Sequence, residues 1–137
     1  MNPFHYAFKV KDIASTRRFY VDMLGCTEGR STATWVDFDF FGHQLSAHVS
    51  ADIPAADYCG QVDGVRVPIP HLGCILEQEQ FRQIQERLLE HSITFIVEPQ
   101  TRYAGEKGEQ LTMFVLDLSG NPIEFKAFRD KADIYTT

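Results

Sequence analysis

No stretch of this 137-residue chain is apolar for long enough to span a membrane. Its start, Met1-Asn2-Pro3-Phe4-His5, lacks the basic segment and apolar run of a secretory leader. The expected location is therefore the cytoplasm. Cysteine is sparse: Cys26, Cys59 and Cys74 are odd in number, widely spaced and free of any C-x-x-C pair, which excludes a disulfide framework and a cysteine zinc site. Positive charge is in deficit too, with 13 Lys and Arg against 19 Asp and Glu and a net charge of −6. That sign opposes binding to nucleic acid or an anionic membrane through net charge, and the expected partner is a small molecule. What the chain does have is 44% apolar residues in a length that supports one sizeable core, so a single folded domain is expected over 1–137.

The segment Phe4 to Val10 alternates large residues (4, 6, 8, 10) with a second set that includes His5, the period of a strand. Asp12 then precedes a helical pattern from Ile13 to Leu24, with Phe19, Tyr20 and Met23 on one stripe and Gly25 at its end. Strands are expected over Ala33 to Phe41 and His43 to Ser50, with a weaker signal over Thr27 to Arg30. Residues 51–70 carry Pro54, Gly60, Gly64, Pro68 and Pro70 and read as an irregular connection. A strand at His71 to Leu76 and a helix at Gln80 to Leu89 follow, then strands at Thr94 to Val97, Gln110 to Asp117 and Asn121 to Phe128.

The order strand, helix, three strands thus occurs twice, and His5 and His71 open the corresponding first strands. Two copies of one module are implied, 1–50 and 71–128, with 51–70 joining them and 129–137 as a tail. Neither module buries enough surface to stand alone. Sheet twist would curl each into a half-barrel, so the expected fold is α+β, with paired βαβββ modules forming an eight-stranded, barrel-like mixed sheet and helices outside. Either the two modules close on each other within a chain or they exchange across a homodimer.

The faces that carry His5 and His71 then line one concavity, and Glu124, flanked by Ile123 and Phe125 on the last strand, shares it. A carboxylate in such a setting needs a partner, and a divalent metal is the most economical one. Two histidines and a carboxylate with open positions suit iron(II), and also manganese, zinc, nickel or cobalt. The fourth ligand comes from the last strand of the first module. Aligning Gly42 with Gly120 puts Ser46 opposite Glu124; a shift of two residues puts His48 there, and Gln44 shares their face. His48 is the preferred candidate on ligand chemistry.

His5-x-Ala7-x-Lys9-Val10-x-Asp12-Ile13, Arg18-Phe19-Tyr20, Leu24-Gly25 and the stretch from Phe114 to Phe125 with Asp117-x-Ser119-Gly120-Asn121-x-x-Glu124 resemble the vicinal oxygen chelate superfamily. That superfamily contains glyoxalases, extradiol dioxygenases and bleomycin- or fosfomycin-resistance proteins. The resemblance implies paired βαβββ modules around a metal, with His5, His71 and Glu124 at the ligand positions and Glu124 able to carry a proton. It implies lyase, isomerase or dioxygenase chemistry on a substrate that chelates the metal through two adjacent oxygens. Glyoxalases of this type usually carry Glu or Gln where this chain has Ser46 or His48. The competing class is a metal-free binding protein of the bleomycin-resistance kind, its cavity lined by aromatics such as Trp35 and Phe38.

Substrate selection falls to the 51–70 connection and the 101–110 loop. In the latter, Arg102 or Lys107 is expected to meet a substrate anion beneath a closing lid, with Tyr103 near the substrate and Lys9 or Lys126 adding a cation at the rim of the cavity.

Overall fold

Alternation of large and small residues makes His5–Val10 the first strand, β1, and Asp12 ends it by capping the next element. The Asp12 carboxylate accepts the Ser15 amide at 2.7 Å, and that hydrogen bond holds its acid strength above that of an ordinary aspartate. Helix α1 (Ile13–Arg17) then widens into a π-helical segment, Arg18–Met23, that turns Phe19, Tyr20 and Met23 inward. Strands β2 (Thr27–Ser31), β3 (Trp35–Phe40) and β4 (His43–Val49) complete a four-stranded sheet of order β1-β4-β3-β2. β1 runs parallel to β4; the other pairs are antiparallel. One face packs Phe8, Tyr20 and Phe38, whose rings lie 5.1 to 5.7 Å apart. The opposite face carries His5, Gln44, Ser46 and His48.

The computed structural model describes all residues from Met1 to Thr137 and divides into two units. The first is Met1–Ala55 with the turn Asp117–Asn121, and the second is Ala56–Leu116 with Pro122–Thr137. The second unit repeats the frame. β7 (Leu72–Ile75), α2 (Gln78–Glu90), β8 (Phe95–Arg102), β9 (Gln110–Leu116) and β10 (Pro122–Phe128) form a sheet of order β7-β10-β9-β8. Gln80 accepts the Glu77 amide at 3.2 Å to start α2, which buries Phe81, Ile84 and Leu88 and packs on β10. Burying side chains of this size contributes roughly 2 kcal/mol each. The expected α+β class and duplicated strand–helix–three-strand order are both present, in two four-stranded sheets and no closed barrel. No helix is long and apolar enough to cross a membrane.

Two expectations are corrected. The connection 51–70 is not irregular: β5 (Asp57–Val62) and β6 (Val65–Ile69) form an antiparallel hairpin. Its turn, Asp63-Gly64, has φ of 49° and 83°, the paired left-handed geometry that a two-residue hairpin requires and that glycine adopts without strain. Val62 and Val67 bury against Val97 and Phe114, which compensates for the prolines and glycines nearby. The strand expected at 94–97 runs on to Arg102, because β8 is an edge strand and tolerates Pro99 within an irregular register. The tail forms a short 3₁₀ turn, Lys131–Asp133, capped by Asp130, and Asp133 accepts the Gly108 amide at 3.1 Å.

Candidate metal centre

In the second unit, His71 stands just ahead of β7. Its Nδ1 lies 2.7 Å from the Pro68 carbonyl oxygen, an acceptor only, so Nδ1 carries the proton. Nε2 then points at Glu124 Oε1, 3.3 Å away. The imidazole edge packs on the Phe114 ring, with centroids 4.8 Å apart.

Glu124 sits mid-strand on β10 and is only 8% exposed, while its neighbours Ile123 and Phe125 are fully buried. Thr112 on β9 donates its hydroxyl to Oε2 at 2.7 Å, leaving Oε1 to His71 and to Lys126, whose Nζ is 3.9 Å away. The Glu124 carboxylate, as acceptor for the protonated ring, raises the His71 pKa above the ordinary imidazole value; burial opposes the rise and the Pro68 carbonyl adds to it. Gly73 is the cross-strand neighbour of Glu124, and a Cβ there would fall on the Glu124 carbonyl oxygen, so only glycine fits. His71, Gly73, Cys74, Ile75, Glu124 and Lys126 line a cleft of about 230 Å³. Burial raises the Cys74 thiol pKa, which keeps it protonated.

In the first unit, His5 is exposed and its Nδ1 lies 2.8 Å from Gln44 Oε1. Register settles which β4 residue corresponds to Glu124. Gly73 faces Glu124, its equivalent Ala7 faces Ser46, and Lys9 faces His48. Ser46 is therefore the counterpart of Glu124, and His48 is that of Lys126. Ser46 is buried and donates to Asp37, whereas His48 is exposed and stacks on Trp35 at 6.2 Å. His43 accepts the Phe4 amide through Nδ1 at 2.7 Å, and Lys9 reaches the Asp52 carbonyl. A cleft of about 370 Å³ opens beside Gln44, Asp37, Asp39 and Arg30. Phe38 is among the residues that line this cleft although its side chain is buried in the core, and the half-buried Trp35 is not.

Arg102 lies at the end of β8, not in a loop. Its Nε is 3.2 Å from Asp63 Oδ2 as an ionic contact without hydrogen-bond alignment, and its guanidinium rests 5.0 Å from the Tyr103 ring centroid. Tyr103 is half exposed. Neither residue lines the cleft at His71. Within each unit, no three His, Cys, Asp or Glu side chains converge at ligating distance. The second unit brings together His71, Glu124 and Lys126, and the first pairs His5 with an amide.

Sequence reasoning missed Thr112, Phe114 and the Pro68 carbonyl, the groups that orient the histidine and the carboxylate. A lone threonine alternating with Phe114 along β9 is the one signal that pointed to Thr112. It also missed the role of the buried Asp117, which accepts Tyr20 Oη at 2.8 Å, the Ser119 and Asn121 amides at 2.8 Å and Asn121 Nδ2 at 3.0 Å. Burial raises the Asp117 pKa and these four donors partly offset it.

A family model described as "Glyoxalase/Bleomycin resistance protein/Dioxygenase superfamily" matches residues 3–125. No curated protein matches the chain by sequence. Among solved structures, a glyoxalase/bleomycin resistance protein/dioxygenase from Alicyclobacillus acidocaldarius is 29% identical with a TM-score of 0.79, covering 98% of this chain and 96% of its own. The genomically encoded fosfomycin resistance protein FosX from Listeria monocytogenes is 16% identical with a TM-score of 0.71, over 93% of each chain. A glyoxalase family protein from Enterococcus faecalis is 20% identical with a TM-score of 0.66, covering 91% of this chain and 96% of its own. At these last two identities the likeness is one of fold.

Proposed function

The chain belongs to the glyoxalase/bleomycin resistance protein/dioxygenase superfamily, and from that premise we propose that it is a metal-dependent enzyme acting on a small molecule that chelates the ion through two adjacent oxygens. The observation that carries this reading is the aim of His71 Nε2 and Glu124 Oε1 at one point in a cleft, each held from behind. A ring whose outer nitrogen is tied to a carbonyl and a carboxylate tied to a hydroxyl have the usual form of metal ligands and their supports. Imidazole nitrogen and carboxylate oxygen suit iron(II), manganese, zinc, nickel or cobalt.

In this proposal His5 provides the third ligand, and the two sheets pair, within a chain or across a homodimer, into the eight-stranded arrangement that unites the three. The fourth position falls to β4, through Ser46, Gln44 or His48, or to water. A divalent ion there supplies Lewis-acid stabilisation of negative charge developing on the substrate oxygens. The protein's own contributions are separate. Lys126 places a cation at the cleft rim to meet an anionic substrate, and Glu124, with Oε2 fixed by Thr112, would exchange between holding the ion through Oε1 and carrying a proton there.

One observation favours a second reading. His71 Nε2 and Glu124 Oε1 lie 3.3 Å apart and pair as ions when the ring is protonated, so a metal-free binding protein is chemically consistent too. Elemental analysis separates them. The parent, purified and then reconstituted with iron, manganese, zinc, nickel or cobalt, is expected to hold close to one ion per site, and His5→Ala and Glu124→Ala to lose it. A parent that holds none overturns the enzyme reading and leaves the binding protein. With metal present, oxygen uptake on a catechol panel under iron(II) assigns dioxygenase chemistry, and its absence assigns lyase or isomerase chemistry.

A further inference from the structure

We propose that the β5–β6 hairpin is the positioning element of His71, and that Arg102 and Gln100 act on that histidine at a distance by holding the hairpin through Asp63. The inference rests on the reading of His71 as a metal ligand. Asp63 at the hairpin turn receives Gln100 Nε2 at 3.2 Å and the Arg102 guanidinium at 3.2 Å, both from β8. In mid-hairpin, Val62 and Val67 pack on Val97 and Phe114, and Ile96 seals the edge of the cluster. At its base, the Pro68 carbonyl accepts a hydrogen bond from the His71 Nδ1–H.

Phe114 is the cross-strand partner of Glu124, so the hairpin covers the same sheet face that presents the carboxylate. The two groups that fix the His71 ring, the Pro68 oxygen and the Phe114 ring, both belong to this hairpin assembly. Ligation tolerates only tenths of an ångström, so a hairpin that shifts on its sheet moves the ring out of reach of an ion held by Glu124. Arg102 is suited to the latch. Its side chain is 19% exposed, it lies over the Tyr103 ring, and Tyr103 Oη accepts Nη2 at 3.2 Å, so the guanidinium is already oriented when it meets Asp63. Arg102 is thereby a positioning residue, with its charge directed at Asp63 and not into the cleft.

The test uses the full chain with Arg102→Gln, Arg102→Lys and Val67→Ala. In metal-free protein, nitrogen NMR of the neutral His71 ring is expected to show a proton fixed on Nδ1 in the parent. A mixture of tautomers is expected in Arg102→Gln and in Val67→Ala, with Arg102→Lys close to the parent. Amide exchange should rise about tenfold in β5 and β6 of Arg102→Gln and stay unchanged in β9 and β10. Affinity for the bound divalent ion should fall about tenfold in Arg102→Gln, with no further fall when the change is made in His71→Ala. Faster hairpin exchange with an unchanged ring signal overturns the proposal, as does an additional loss of affinity in the His71→Ala background. A parent that binds no metal overturns the ligand reading instead, and the ring signal then decides the role of the hairpin by itself.

Discussion

In the first unit the histidine at the head of β1 lies in water, and its Nδ1 meets the side chain of Gln44. In the second unit the equivalent histidine has its Nδ1 on a backbone carbonyl, its ring edge on Phe114 and its Nε2 on a buried glutamate. The frames match strand for strand, so the contrast comes from a few substitutions at equivalent register positions. Ser46 stands where Glu124 is, Asp37 where Phe114 is, and Ala7 where Gly73 is. A hairpin over one sheet face does the rest. The same strand order occurs in both sheets, while burial makes one site a low-dielectric holder of charge and leaves the other polar and exposed.

The sharpest break in that comparison is Gly73→Ala. Its Cβ collides with the β10 backbone, and a loss of about 3 kcal/mol is expected in urea unfolding. The reverse change in the other unit, Ala7→Gly, should cost no more than about 1 kcal/mol. Equal costs would mean that the two strand pairs do not differ in closeness.

Thr112→Val comes next. It keeps the side-chain shape but leaves Glu124 Oε2 buried without a donor, for an expected loss of about 2 kcal/mol. Ser46→Ala should cost under about 1 kcal/mol, since half-exposed Asp37 regains water in place of the hydroxyl. A Ser46→Ala loss as large as that of Thr112→Val would erase the distinction between the sites.

Acidity offers a finer probe. The folded protein raises the His71 pKa, so proton binding stabilises the metal-free fold. That contribution is complete below the ordinary imidazole pKa and is lost as pH rises through the higher, folded value. Urea midpoints should therefore fall with rising pH across that window. Glu124→Gln, which removes the main cause, should flatten the slope; a slope that survives it would place the proton elsewhere. The smallest effect is expected from Gln44→Ala, within about 0.5 kcal/mol of the parent, because both His5 and Gln44 are exposed.

Much of this was readable from the chain, for reasons that differ by residue. Asp117, Ser119, Gly120 and Asn121 stood out through their resemblance to a family motif, whereas the convergence of the Ser119 and Asn121 donors on the Asp117 carboxylate shows only in the fold. Glu124 between Ile123 and Phe125 stood out because charge in an apolar strand is conspicuous. Gln44, Ser46 and His48 could not be separated, since a period of two is blind to a shift of two; only the register with β1 chooses Ser46. The β5–β6 hairpin was hidden because its glycines and prolines mask alternation, although Asp63-Gly64 is a hairpin signal in its own right. Arg102 read as a loop cation because the glycines at 105 and 108 and the mixed charges around them have the composition of a loop. No local pattern reveals that Asp63, far away in sequence, takes its charge.

The turn Asp117–Asn121 lies in sequence between β9 and β10 yet belongs to the first unit. There it supplies the acceptor for the buried Tyr20 hydroxyl, receives the Lys11 amide at Ser119 and donates from Asn121 to the Lys9 carbonyl. A gene cut after codon 55 would therefore yield a fragment with an orphaned phenol in its core and with the Lys9 carbonyl and Lys11 amide handed over to water. Any attempt to return this duplicated chain to a single-module ancestor has to graft that five-residue turn onto the shortened protein.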